Sequence, residues 1–340
     1  NILIFSPNEV FAEYISDVLP ELGESNIRQT TFEIYSKRFL PYNYLYENKN
    51  DHLDYIYSNH TDLNAFKLRA KSMEYKNTLE FMEALNKFVF DIPKLITNVT
   101  PIIIEGEQII SKKSVENTIF ERFKDIPFLN RIEVVKQSLF SQVENKYLSS
   151  KDNSHFDYVE DKKTFYDFCK AQVDAQVDAM IKTLDSVDIY KLLWSNIEKY
   201  TNMDLNSTKE LTLNYLNNNE VKFEDITPII YIRSSLEGFR SYGNMKHVLI
   251  DEAQDYSMLQ FLVLQGLTGC RSYTIVGDVN QRLVKIDEVP AMLRLEELYG
   301  KFVKRFDLNK SYRSTQQIME YASKLLDENA IVPFVRKGKY

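Results

Sequence analysis

A chain of 340 residues with 44% apolar and 27% charged side chains can bury a substantial core, which excludes a disordered tract and makes two or more domains the expectation. The net charge of −7 argues against a nucleic-acid surface spread over the whole molecule, and no run of about 18 apolar residues offers a membrane span. Cys169 and Cys270 form no CxxC pair and no basic leader precedes NILIFSPNEV, so a reduced cytosolic protein without disulfide or zinc is the simplest reading.

In chain order, NILIFSP predicts a short strand ending in a Ser-Pro-Asn turn. VFAEYISDVLPELGE then predicts an amphipathic helix stopped near Pro20 and Gly23. Between Gly23 and Gly238 the only glycine is Gly106, and no proline falls between Pro127 and Pro228. So little punctuation suits long helices and ill suits strands joined by tight turns, so residues 41–225 read as a mostly helical insertion. Two stripes support this: Ile132, Val135, Leu139, Val143 and Leu148, then Met180, Leu184, Val187, Leu192 and Ile197. Both are packing faces rather than cofactor boxes. Residues 41–230 hold 23 Lys+Arg against 30 Asp+Glu, and the rest of the chain 19 of each. An acidic middle fits a protein-contacting or merely solvated region better than a polyanion cradle.

TPIIYIRSSLEG is ambiguous. Its β-branched residues favour a strand, while Thr227 as N-cap, Pro228 in the first turn and Gly238 at the end favour a helix. KHVLIDEAQD, SYTIVGD and VKRFDLNKSYRS follow as three apolar runs, each succeeded by a helical pattern. Strands alternating with helices imply a parallel sheet with its ligand loops at the strand carboxyl ends.

Three short sequences carry chemistry. Asp251-Glu252-Ala253-Gln254-Asp255 follows HVLI, and a strand delivering two adjacent carboxylates suits a magnesium–nucleotide site. The bland alternative is an acidic loop capping the next helix. Gly277-Asp278-Val279-Asn280-Gln281 follows YTIV; a glutamine there can report on a γ-phosphate, although alone the motif reads as a surface turn. Ser311-Tyr312-Arg313-Ser314 offers a rigid, always-charged guanidinium beside an aromatic ring, or merely a helix-entry arginine. Ser314 with Gln317 has the spacing of a capping box.

The order and spacing of these motifs resemble the UvrD-like helicases of superfamily 1. DEAQD resembles motif II, GDVNQ motif III, LNKSYRS motif IV, and ILIFSPNEVFAEYISDVLPELGE with RQTTFEIYSKRF resembles motif Ia and the Thr-Phe motif after it. The SPN…F..YI…LPELGE wording is similar to the HelD type, a group associated with bacterial RNA polymerase. The resemblance implies an α/β, RecA-like P-loop NTPase fold, with one RecA-like domain over 1–40 and 226–305, the insertion over 41–225, and a second RecA-like domain opening at 306–340. It implies ATP and Mg²⁺ as cofactors. Asp251 would hold the metal through water, Glu252 would be the catalytic base, and Gln254 and Gln281 would couple the γ-phosphate to movement. Asp278 would border the nucleotide, Tyr312 would stack on adenine and Arg313 would contact the γ-phosphate. Asn8, Thr31 and Phe32 would touch a single strand of nucleic acid.

Two departures stand beside the resemblance. No GxxxxGK[ST] phosphate loop (Walker A) occurs in these residues, so this stretch by itself is expected to bind and hydrolyse ATP poorly. After GDVNQ the chain reads RLVKIDEVPAML, without the aromatics on which DNA-tracking relatives stack a base, worth about 1–3 kcal/mol each. The expectation is a motor that remodels RNA polymerase on nucleic acid. A conventional 3′–5′ DNA repair helicase and a degenerate interaction scaffold are the alternatives.

Overall fold

The computed structural model describes residues 1–10, 13, 27–147, 159–239, 245–283, 289–308, 310–311, 314–324 and 332–333. Strand β1 (Ile2–Phe5) buries Leu3 and Phe5 and pairs in parallel with β2 (Ile27–Thr30), Ile2 lying opposite Ile27. Of the predicted helix after β1, Val10 and Glu13 are helical and the rest lies outside the described residues. Helix α1 (Phe32–Lys37) starts directly after β2, because the Thr31 hydroxyl accepts the Ile34 amide at 3.2 Å.

The chain then leaves the sheet. It passes through β3 (Leu45–Tyr46), α2 (Lys49–Tyr57), α3 (Leu63–Lys76), α4 (Leu79–Ile96), β4 (Ile102–Ile104), β5 (Glu107–Ile110) and α5 (Lys112–Asn117). It continues through α6 (Phe128–Tyr147), α7 (Val159–Met180), α8 (Ser186–Ser195), α9 (Asn206–Asn217), β6 (Glu220–Val221) and α10 (Phe223–Glu237). Val135, Leu139 and Val143 of α6 are buried as the stripe predicts; Leu148 lies outside the described residues. The second stripe is not one helix. It breaks at Met180, Ile181 forms a bridge with Thr97, and Asp185 caps α8 by accepting the Val187 and Asp188 amides at 2.8 and 2.9 Å. Three elements still bury Met180, Val187 and Ile197 in one core.

The segment also contains strands, where a lack of punctuation argued against them. β4 and β5 form a hairpin over a two-residue turn, Glu105 (φ 51°) and Gly106 (φ 84°). Two positive φ values match the right-handed twist of the flanking strands, and Gly106 alone supplies the punctuation needed. Helix α10 likewise corrects a boundary. It begins at Phe223, so Thr227 is not its N-cap and Pro228 sits inside it, where the missing N–H forfeits one bond to Glu224. Gly238 (φ 79°) ends it as expected.

The chain returns to the sheet with β7 (His247–Ile250), parallel to β1 on the side away from β2. After α11 (Met258–Thr268), β8 (Tyr273–Ile275) pairs in parallel with β7, giving the order β2-β1-β7-β8. The Tyr35 hydroxyl donates to the Leu267 carbonyl at 3.2 Å, tying α1 to α11. Beyond lie α12 (Leu295–Tyr299), β9 (Lys310–Ser311), α13 (Gln316–Ser323) and β10 (Val332–Pro333). Thr315 rather than Ser314 is the N-cap of α13, and it makes no side-chain capping bond. Among the described residues no helix is long and apolar enough to cross a membrane, and Cys169 and Cys270 are both buried free thiols.

Candidate nucleotide and strand site

A parallel sheet gathers the loops after all four strands at one edge, and the motif residues therefore meet there. The Asp251 amide donates to the Phe5 carbonyl at 3.0 Å and the Ala253 amide to the Val276 carbonyl at 2.9 Å. The acidic pair is thus suspended between the ends of β1 and β8. Glu252 adopts a left-handed φ of 50°, rare for a residue with a Cβ, and its amide donates to Asp251 Oδ1 at 2.9 Å. Both carboxylates are half-buried, so the pair can take a hydrated divalent cation without dehydrating fully.

Gln254 joins the two motifs. It is 4% exposed; its Nε2 donates to Glu252 Oε2 at 2.7 Å, and its Oε1 accepts the Asp278 amide at 3.0 Å. The approach demands a glycine next door, since a Cβ on Gly277 would stand 2.6 Å from Gln254 Oε1 and 3.0 Å from the Ala253 amide nitrogen. Asp278 spends its oxygens on its own loop, accepting the Asn280 amide at 2.9 Å and Gln281 Nε2 at 2.8 Å. It caps the turn, a role its motif position did not announce. Gln281 is exposed at that turn. Tyr312 and Arg313 lie outside the described residues.

The predicted strand contacts divide. Asn8 is exposed at the end of β1, whereas Thr31 and Phe32 are each 8% exposed. Thr31 is committed as the cap of α1 and Phe32 packs edge-on against Tyr256 with centroids 5.9 Å apart. All three still line a cavity of about 490 Å³ that also reaches Glu252, Gln254 and Asp255. Its opposite wall comes from the segment between β2 and β7: Lys49, His52 and Leu53 of α2, Lys76 of α3 and Glu224 of α10.

The family model for the UvrD/REP helicase N-terminal domain matches residues 13–283, most of the chain. The chain belongs to that family. A relative within reach of direct comparison is a protein of Mycoplasma capricolum subsp. capricolum described as a "Probable DNA helicase II homolog", 28% identical over 170 residues. That match covers 44% of this chain and 23% of the relative, so the chain spans a minor part of its length. The parallel sheet with many helices fits a UvrD-like N-terminal domain, and the family accounts for a helicase-type site at the sheet edge.

One cluster near this UvrD-like site escapes sequence reasoning. Arg69, 2% exposed, donates from Nη1 to Glu47 Oε1 at 2.9 Å, from Nη2 to Glu47 Oε2, and from Nε and Nη2 to Glu224 at 3.2 and 3.0 Å. Beside it Lys76 Nζ lies 2.7 Å from Asp225, whose carboxylate also accepts the Tyr190 hydroxyl at 2.6 Å. Burial works to raise the Glu47 carboxyl, but bonds from His52 and Arg69 prevail and hold it at about 2. Glu47, His52 and Glu224 bring ligand atoms within 4.8 Å of one another, yet Arg69 already satisfies both carboxylates. The partners are up to 155 positions apart in sequence, so no local pattern marks them.

Proposed function

We propose that the protein is an ATP-dependent superfamily 1 motor acting on nucleic acid, and that the observation carrying this reading is the Gln254 bridge from Glu252 to the Asp278 amide. A catalytic carboxylate and a sensor loop sharing one buried amide move together, as a nucleotide-driven machine requires. The side chains fit magnesium–ATP chemistry: Asp251 would hold the ion through its water shell, and Glu252 would accept the proton of the attacking water. Gln281 and Arg313 would sense the γ-phosphate, Tyr312 would face the adenine, and Asp278 would shape the loop. Bound ATP supplies the free energy for movement. Asn8 stands where a single strand could pass, with Thr31 and Phe32 forming the floor beneath it.

As to target, the motif wording supports a HelD-type motor that remodels or recycles RNA polymerase. The stretch after Gln281 lacks aromatics, and the segment between β2 and β7 is acidic, which suits a protein partner better than a bare strand. A cytoplasmic location follows from such a partner. The test uses the full-length protein with and without Glu252→Gln. Co-purification with core RNA polymerase is expected, with ATPase raised by polymerase and lowered about 10²–10⁴-fold by the substitution. ATPase stimulated by single-stranded DNA alone, without polymerase binding, would assign the protein to the conventional DNA repair helicases. Polymerase binding with ATPase indifferent to Glu252→Gln would leave only an interaction scaffold.

A further inference from the structure

Helix α2 is the first helix after the chain leaves the sheet, and it is fastened at both ends to the sheet-edge motifs. At its start, the Lys49 amide donates to Glu33 Oε2 at 3.3 Å, one residue beyond Phe32. At its middle, His52 is buried, stacked on Phe223 with centroids 4.7 Å apart and 3.4 Å from Arg69 Nη2. At its last residue, the Tyr57 hydroxyl donates to the Leu283 carbonyl. The same Leu283 donates its amide to Asp255 Oδ1 at 2.9 Å, so one peptide segment just past Gln281 is gripped from two sides. One grip comes from DEAQD and the other from the helix. Between its two ends α2 forms one wall of the 490 Å³ cavity.

We propose that α2 is a strut carrying the nucleotide state of the 277–283 loop to the strand side of the site, with Tyr57 as the positioning residue that engages it. The relay is contiguous: Glu252 to Gln254, Gln254 to Asp278, and the loop through Leu283 to Tyr57 and along α2 to Glu33. A helix transmits an axial displacement because its backbone bonds resist compression, while an unstructured link would absorb it. Tyr57 is 64% exposed, so its hydroxyl is present for this bond and not for core packing. The inference rests on reading the loop as nucleotide-sensing.

The experiment is hydrogen–deuterium exchange on the full-length protein with and without a non-hydrolysable ATP analogue and Mg²⁺. Peptides covering 49–57 and 251–255 are followed in the wild type, Tyr57→Phe and Asp255→Asn. In the wild type the analogue should change exchange in both regions, by about threefold or more in 49–57, the scale of one hydrogen bond gained or lost. Tyr57→Phe should abolish the response of 49–57 and keep that of 251–255 without moving the thermal midpoint. Asp255→Asn, which keeps the acceptor for Leu283, should retain both. A response of 49–57 that survives Tyr57→Phe, or is missing from the wild type while 251–255 responds, overturns the strut. Silence in both regions overturns the nucleotide reading itself, and the strut with it.

Discussion

Gln254 shows how much one side chain decides. Its two amide ends take opposite roles, a donor to Glu252 and an acceptor from Asp278, so neither glutamate nor leucine replaces it. Gly277 exists to let it pass. Gly277→Ala should lower stability by about 1–3 kcal/mol through overpacking, because the nearest atoms include the Ala253 backbone nitrogen at 3.0 Å, which has nowhere to retreat. Thermal denaturation beside ATPase of the full-length protein checks this; unchanged values of both would mean that the loop yields freely. The acidic pair and the glutamine were legible from DEAQD and GDVNQ. Their direct bond was not, since it joins loops after two different strands.

At the scale of elements, the parallel pair of β3 and β6 marks where the chain leaves and re-enters the sheet domain, with Leu45 opposite Glu220 and Tyr46 opposite Val221. Two residue pairs are too few to hold that neck, and the Arg69 cluster directly beside it does the rest. Arg69→Met should cost about 3–5 kcal/mol, because it strands the Glu47 and Glu224 carboxylates away from water. A melting experiment should show the loss, and adding Glu47→Gln with Glu224→Gln should recover part of it. No recovery would mean that the guanidinium acts by packing alone. The helices here were readable from their stripes; the breaks between them were not. Asp185 and the Thr97–Ile181 bridge interrupt a pattern whose apolar spacing runs on unbroken.

For the whole molecule, the buried apolar residues of the sheet, from Leu3 to Leu267, and of the helical segment form one continuous cluster. Acid should therefore unfold both together, and Glu47 predicts where. Its carboxyl is held at about 2 against an ordinary 4.5, so the folded state binds fewer protons than the unfolded chain across that interval. The contribution, of the order of 3 kcal/mol, is fully present above pH 4.5 and is lost as pH falls toward 2. Glu47→Gln should flatten the acid limb of a stability-versus-pH curve in that window. An unchanged limb would place the acid sensitivity on other carboxylates.

The sequence by itself determined the strands β1, β7 and β8, the helical character of most of the long segment between β2 and β7, and the two motif loops that identify a helicase-type site. These are local patterns: apolar runs four residues long, apolar spacing of three to four, and acids or glycine placed directly after a strand. Only the tertiary structure decided the strand order, the Gln254 bridge, the Arg69 cluster and the fastening of α2 at Glu33 and Leu283. Each of these joins residues distant in sequence, and their energy comes from excluding water around paired polar groups. Such burial is a property of the folded arrangement and leaves no periodic trace along the chain.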